Sequence, residues 1–291
     1  MVNNRCKVLA NAKINLHLQV TGKRENGYHN ISSIMQSVDL CDEIIINLNS
    51  SGRVTTVTEN KVIEGNNLVT LAAEAVLKEI KTTFGADIVL KKRIPMSAGV
   101  GGGSADAAAV LAAMNRMLNE PISKERLFEI AFSLGADVPF CLEGGIQKCE
   151  GLGEVLTPIA LSDRYYVVLV KHHQKLSTGF MYGLIDKNIS PKTTTENVIE
   201  VLKSGDLHRM GDFAVNDFLT VSKEREEQEK ICQRLYSGGA FFAGLSGSGP
   251  TLFGLFEKQP DNAFLEMLMS HYKEVYLCQT SNVGWKIVEM N

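Results

Sequence analysis

Four glycines in five residues, Gly99, Gly101, Gly102 and Gly103, lead straight into an alanine-rich stretch that reads as a helix over 105–118. Glycine lets the backbone bend with no side chain in the way. The free N–H groups of such a loop and of the first helical turn can surround an anion, helped by the helix dipole. The anion that fits is a phosphate of a nucleotide. A flexible linker would carry more serine, and a tight turn needs one or two glycines rather than four. Ser104 stands where the N-cap belongs, with Asp106 in the first turn. No Gly-Lys-Ser/Thr follows the last glycine, so the loop is not of the Walker type. The dinucleotide fingerprint lacks its sixth-position glycine. At Gly102 a branched side chain is predicted to block the phosphate with little effect on the fold.

Further groups offer chemistry. Residues 8–20 alternate, with Val8, Ala10, Ala12, Ile14, Leu16, Leu18 and Val20 on one parity and Leu9, Asn11, Lys13, Asn15, His17 and Gln19 on the other. That is a half-buried strand, whose polar face is solvated unless the next loop gives it something to face. The next loop, 21–29, contains the turn glycines Gly22 and Gly27 and sets Tyr28 beside the imidazole of His29. Asp137 follows a helix end at Gly135 and precedes Pro139-Phe140. It is either a turn former or a carboxylate lodged in an apolar setting. Gly247-Ser248-Gly249 lies in a second glycine-rich loop, 244–251, which is a hairpin turn or a second wall on the same ligand.

The elements that must hold these residues read as an α+β chain. Strands are predicted at 8–20, 42–48 and 86–94, the last ending in Lys91, Lys92 and Arg93, whose charge favours a polyphosphate nearby. Gly65-Asn66-Asn67 caps a helix to about Lys81, and a helix from Ser123 stops at Gly135. Composition shifts after Pro158, which predicts two domains, 1–158 and 159–291. The second holds a strand at 164–170, helices at 177–184 and 195–202, the solvated helix face 224–230 leading to Ile231 and Leu235, and a strand at 252–256.

A chain of 291 residues with 44% hydrophobic and 22% charged residues can bury a sizeable core. A net charge of −3 gives no reason to expect nucleic acid or a membrane surface as partner. Six scattered cysteines without Cys-x-x-Cys spacing read as reduced thiols of a cytoplasmic protein, with no case for zinc. No apolar run approaches a membrane span, and no signal-peptide pattern opens the chain.

Ala12-Lys13-Ile14-Asn15-Leu16, Gly22-Lys23-Arg24 with Gly27-Tyr28-His29, the run from Pro95 to Ala108, Leu134-Gly135-Ala136-Asp137-Val138-Pro139-Phe140 and Gly247-Ser248-Gly249 span residues 12–251. In that order they resemble the GHMP kinase family. The glycine run is general to the superfamily. Ala-Lys-Ile-Asn-Leu with Gly-Tyr-His is similar to the branch acting on a cytidine diphosphate derivative of methylerythritol, on the route to isoprenoids. The resemblance implies a two-domain GHMP kinase fold, with an N-terminal domain like ribosomal protein S5 domain 2, a ferredoxin-like C-terminal domain and the active site between them. It implies ATP-dependent phosphorylation of a tertiary 2-hydroxyl, with Asp137 as general base and Lys13 as its charged partner. ATP would be held by Pro95, Met96, Ser97, Ala98, Gly99, Val100, Gly101, Gly102, Gly103, Ser104 and Ala105. The substrate would be held by Asn15, Tyr28, His29, Gly247, Ser248 and Gly249. A second-domain aromatic, Phe180 or Tyr182, would close over the cytosine. Mg²⁺ would be carried mainly by ATP and water, with Ser104 as a candidate contact, since no carboxylate cluster offers to hold it. The implied partners are small molecules only, in a monomer or homodimer.

The chemistry suits these residue types. A hydroxyl is a poor nucleophile, and a carboxylate within hydrogen-bond reach can take its proton as phosphorus is attacked. A lysine beside it can stabilise charge on the transferring phosphoryl group. Ser97-Ala98, Val100 and Ala105 depart from the family's usual residues but leave the backbone cradle intact. Glu150, in Gln147-Lys148-Cys149-Glu150-Gly151-Leu152-Gly153-Glu154, reverses a charge and bears on substrate contacts or domain packing. Three other readings compete. Homoserine, mevalonate or sugar kinases of the family have no use for Tyr28-His29. A non-catalytic nucleotide-binding relative has none for Lys13 together with Asp137. An RNA-binding protein would need a basic patch.

Overall fold

The computed structural model describes residues 3–58, 61–62, 67–161, 164–172, 178–186 and 194–291. Gly65, Asn66 and Ser177, which entered the predicted helix starts, lie outside the described residues. Two long antiparallel strands, β1 (Arg5–Lys23) and β2 (His29–Asn49), form the spine. The other strands are β3 (Val54–Thr58), β4 (Lys61–Val62), β5 (Gly85–Lys91), β6 (Ile146–Gly151), β7 (Val155–Pro158), β8 (Tyr166–Lys171), β9 (Phe242–Leu245), β10 (Thr251–Phe256), β11 (Glu274–Ser281) and β12 (Trp285–Met290). The helices are α1 (Leu68–Glu79), α2 (Gly102–Met117), α3 (Lys124–Leu134), α4 (Val138–Glu143), α5 (Thr178–Ile185), α6 (Thr195–Ser204), α7 (Met210–Phe213), α8 (Asp217–Thr220), α9 (Arg225–Ser237) and α10 (Asn262–His271).

β2 is long enough to be shared. Beyond β1 it pairs with β6 at residues 31–36, meets β11 at Ser37 and Val38, and pairs with β5 at residues 43–49. β11 carries the pairing on to β8, β10 and β9, while β12 returns to pair with β1 at residues 6–10. The second group of strands therefore hangs from the first through β2. The expected start of β2 at residue 42 falls well inside the real strand. Residues 31–38 are buried on both faces, so they lack the clean alternation that marks a half-exposed strand.

Local signals place the helices around the site. Asn67 caps α1 by accepting the Thr70 N–H, and Ser123 caps α3 by accepting that of Arg126. Gly135 ends α3. α2 is buried nearly all round, and its alanines let it lie close to β1, α1 and α4. The charged run 224–230 opens α9, which buries Ile231 and Leu235. Among the described residues no helix is long and apolar enough to cross a membrane, and the six cysteines form no disulfide.

Candidate active site

The site is built on an open strand edge. β12 covers β1 only as far as Ala10, so the N–H groups beyond it must find partners elsewhere. Lys13 N–H donates to the Val100 carbonyl at 3.0 Å, in the glycine loop. Asn15 N–H donates to Ser246 Oγ at 3.4 Å, in the second glycine loop. Leu18 N–H donates to the Val215 carbonyl at 2.8 Å, and Val20 N–H to Asp217 Oδ2 at 2.7 Å. The predicted polar face is therefore covered rather than solvated: Asn11, Lys13, Asn15 and His17 are all buried. Register shifts between Asn11 and Lys13, and between Asn15 and His17, re-aim side chains there, as bulges near functional sites do.

Lys13 is only 3% exposed, so its ammonium needs partners. It lies 3.3 Å from Asp137 Oδ2 and donates to Asn15 Oδ1 at 2.6 Å. Asn15 is held in turn, its Nδ2 donating to Ser33 Oγ at 3.0 Å, while Ser33 donates to the His17 carbonyl at 2.6 Å. Asp137 occupies the N-cap position of α4 but makes no side-chain cap bond there, which leaves its carboxylate to Lys13 and the cavity. About a third of the Asp137 side chain is exposed. A buried lysine beside a half-open carboxylate can hold a hydroxyl and take its proton.

The two glycine loops interlock backbone to backbone. Ser246 Oγ donates to the Gly99 carbonyl at 3.0 Å, and Thr251 N–H donates to that of Ala98 at 3.3 Å. A Cβ on Gly99 would lie 2.5 Å from the Ser246 carbonyl oxygen and 2.7 Å from that of Gly249. The second loop is thus both the β9–β10 hairpin turn and a wall on the first loop. Gly101, at φ 71°, occupies the N-cap of α2, and a Cβ there would meet Lys13 Cγ at 2.8 Å. The helix ladder begins with Ala105 N–H donating to the Gly101 carbonyl at 2.8 Å. The N–H groups of Gly102, Gly103 and Ser104 are left for a ligand.

Three expectations about this loop are corrected. Ser104 is not the N-cap, because the left-handed Gly101 starts the helix earlier. Asp106 does not serve the dipole. It is buried, and its Oδ2 accepts from Lys92 Nζ at 2.7 Å. Burial pushes the Asp106 carboxyl well above the usual range, against the pull of Lys92. Lys91 and Lys92, at and just past the end of β5, are already partnered. Lys91 bonds Glu43 at 2.7 Å, and Lys92 is shared between Asp106 and Asp42, whose Oδ2 is 2.5 Å away. A Cβ on Gly102 would meet Ile94 Cγ2 at 2.9 Å, so a branched residue there strains the fold. Gly103 has the most room of the four, since a Cβ there would meet only Leu68 Cδ1, at 3.6 Å.

One cavity of about 1350 Å³ joins these parts. Ligand sites commonly measure about 300–1,000 Å³, so there is room for a nucleotide and a second substrate. Pro95, Met96, Ser97, Ala98, Gly99 and Gly101 through Ser104 line it, as do Lys13, Asn15, Asp137, Gly247 and Ser248. Val100 and Ala105 are buried, and neither they nor Gly249 line the cavity. Thr58, Asn67 and Leu90 extend it beside the glycine loop. No motif pointed to them, because they come from separate elements.

At the opposite end Tyr28 is 63% exposed, while His29 is buried. Tyr182 stacks on the His29 ring with centroids 4.6 Å apart and planes at 12°. Phe218 backs Tyr182 edge-on at 5.0 Å, and burial pushes the Tyr182 hydroxyl up to about 12. Phe180 lies half-exposed near Lys223 and does not line the cavity. His29 Nε2 lies 2.5 Å from Asp186 Oδ1, and Lys23 bonds the other oxygen. Asp186 escaped the sequence reading. Its one signal is a spacing of four residues from Tyr182, which puts both on one helix face.

The model of the GHMP kinases N terminal domain matches residues 67–145, and that of the GHMP kinases C terminal matches residues 198–274. The 4-diphosphocytidyl-2-C-methyl-D-erythritol kinase of Alkaliphilus oremlandii is 38% identical over 95% of this chain and 97% of its own length. That of Thermoanaerobacter pseudethanolicus is 35% identical over 98% and 99%. A crystal structure of 4-(cytidine 5'-diphospho)-2C-methyl-D-erythritol kinase superposes with a TM-score of 0.79 at 29% identity, covering 94% of this chain and 99% of that one. The homoserine kinase of Cytophaga hutchinsonii shares the fold, with a TM-score of 0.76 at 18% identity over 99% of this chain and 98% of its own. With its α+β architecture and both domain models matched, the chain belongs to the GHMP kinases, in the 4-diphosphocytidyl-2-C-methyl-D-erythritol kinase family.

Proposed function

We propose that this chain transfers the γ-phosphoryl group of ATP to the 2-hydroxyl of 4-diphosphocytidyl-2-C-methyl-D-erythritol. The observation that carries the reading is the Lys13–Asp137 pair, in a cavity that runs from the glycine loop to Tyr28, His29 and Tyr182. The loop N–H groups of Gly102, Gly103 and Ser104 take the phosphates. Asp137 accepts the hydroxyl proton as the oxygen attacks, and Lys13 stabilises charge on the phosphoryl group in flight. Asn15 holds Lys13 in place. Tyr28 and Tyr182 offer aromatic faces to the pyrimidine, and His29 offers a polar edge. Among the described residues no three His, Cys, Asp or Glu side chains gather as metal ligands, and the three cavity carboxylates, Asp106, Asp137 and Asp186, already face lysines. This donor set fits Mg²⁺ that arrives on ATP, neutralises its phosphates and touches at most Ser104. The test is ADP release with the cytidine substrate set against homoserine and mevalonate. Turnover of either rival without turnover of the cytidine substrate rejects the reading.

A further inference from the structure

The end of α5 and Asp186, the residue just past it, grip one imidazole twice. Tyr182 covers the face of His29, and Asp186, one helical turn on, takes its edge. Asp186 N–H donates to the Tyr182 carbonyl at 3.1 Å, so the helical bonding continues past α5 and ties both residues to one turn. His29 is 8% exposed, which leaves its ring little freedom. An ionised carboxylate can only accept, so the ring nitrogen facing it must carry the proton. The second Asp186 oxygen is bonded to Lys23, whose charge already balances the carboxylate.

We propose that Asp186 is a positioning residue for base selection: it holds His29 as the Nε2–H tautomer and thereby presents Nδ1 as a hydrogen-bond acceptor. This rests on the reading that His29 faces the substrate's pyrimidine. Cytosine carries an amine donor at position 4, whereas uracil carries a carbonyl acceptor there. An acceptor on the protein pairs with the first and leaves two lone pairs facing each other with the second. Discrimination by such an unpaired polar contact exceeds what shape alone provides.

Two measurements decide it. In the ¹⁵N-histidine spectrum of the whole enzyme, identified with His29→Gln, the His29 signals should show a protonated Nε2 and an unprotonated Nδ1 near neutral pH. A protonated Nδ1, alone or in an imidazolium, overturns the proposal. In steady-state assays with the cytidine substrate and its uridine counterpart, Asp186→Ala should raise the cytidine KM about tenfold and leave the ATP KM within about twofold. It should also lower the cytidine-to-uridine ratio of kcat/KM by about tenfold or more. Asp186→Asn, which keeps an acceptor oxygen, should recover part of that ratio. An equal loss on both bases marks Asp186 as a mere packing residue and overturns the assignment. If Asp186→Ala does not fold, the spectrum of the wild-type enzyme still decides. Failure of the wild-type enzyme to use the cytidine substrate would count against the proposed function, and the tautomer is read independently of it.

Discussion

At the residue scale the proposed phosphoryl transfer rests on Lys13 and Asp137. Asp137→Asn keeps the shape and removes the proton acceptor, so kcat should fall by about 10²–10⁴ while the ATP KM barely moves. Near-normal kcat in this variant would leave Asp137 as a turn residue. Lys13→Met should be comparably damaging. The double variant should be little worse than either single one, because groups that act together are not additive. A full steady-state comparison of the three variants measures this. His29→Ala should raise the KM of the cytidine substrate strongly with the ATP KM nearly unchanged. Equal changes in both would place His29 outside the substrate site. Glu150, whose charge departs from the family pattern, is accommodated at the surface. It lies 3.1 Å from Lys148, which also reaches Glu196 on α6 at 2.7 Å. Pairs near the surface like these are worth about 0–1 kcal/mol.

At the element scale the glycine run does two separable jobs. Gly99 lets two loops touch, and Gly103 has room for a Cβ in ordinary contact with Leu68. Gly99→Ala forces a Cβ into two carbonyl oxygens at φ 78° and should cost about 2–4 kcal/mol in urea unfolding. Gly103→Ala meets only Leu68 Cδ1 at 3.6 Å and sits in a helix, so stability should change by about 1 kcal/mol or less. Its methyl group intrudes where phosphate is expected, so ATP binding by calorimetry should weaken. Gly103→Ala with unchanged ATP affinity would remove the phosphate role from the loop. The loop composition was legible from glycine alone. Which glycine faces ligand and which faces protein was not, because Ile94, Lys13 and Ser246 come from other elements.

At the scale of the whole molecule, the second glycine loop and residues 215–217 dock on the open edge of β1, and His17 lies there. Its Nδ1 accepts the Val215 N–H at 3.2 Å. Burial lowers its imidazole to about 4 from an ordinary 6.5, outweighing a nearby Gln19 that favours the charged form. Above pH 6.5 both folded and unfolded chains hold this ring neutral, so it contributes no pH dependence. Between about pH 6.5 and 4 the unfolded chain takes up the proton and the folded one does not. Stability therefore falls with pH, by about 3 kcal/mol over the full window. Urea midpoints should drop between pH 7 and 5, and His17→Gln should flatten that slope. An unchanged slope would mean that other groups control acid unfolding.

Some of this was decided by short-range rules that the chain carries within a few residues. The parity of residues 8–20, the caps Asn67 and Ser123, the stop at Gly135 and the four-glycine loop all act locally, through backbone freedom and side-chain hydrogen bonds to nearby N–H groups. These drew attention to Lys13, Asp137, Tyr28 and His29, whose roles were implied by the resemblance to the GHMP kinases. Tertiary packing decided the rest. It buried the polar face of β1 by docking loops on an open strand edge, and it paired Lys13 with Asp137. It gave Lys92 to Asp42 and Asp106, chose Tyr182 over Phe180 against His29, and set Asp186 on the imidazole. Each of those outcomes depends on two segments far apart in the chain meeting at hydrogen-bond or van der Waals distance. Propensity and periodicity, which act between near neighbours, contain no information about such meetings.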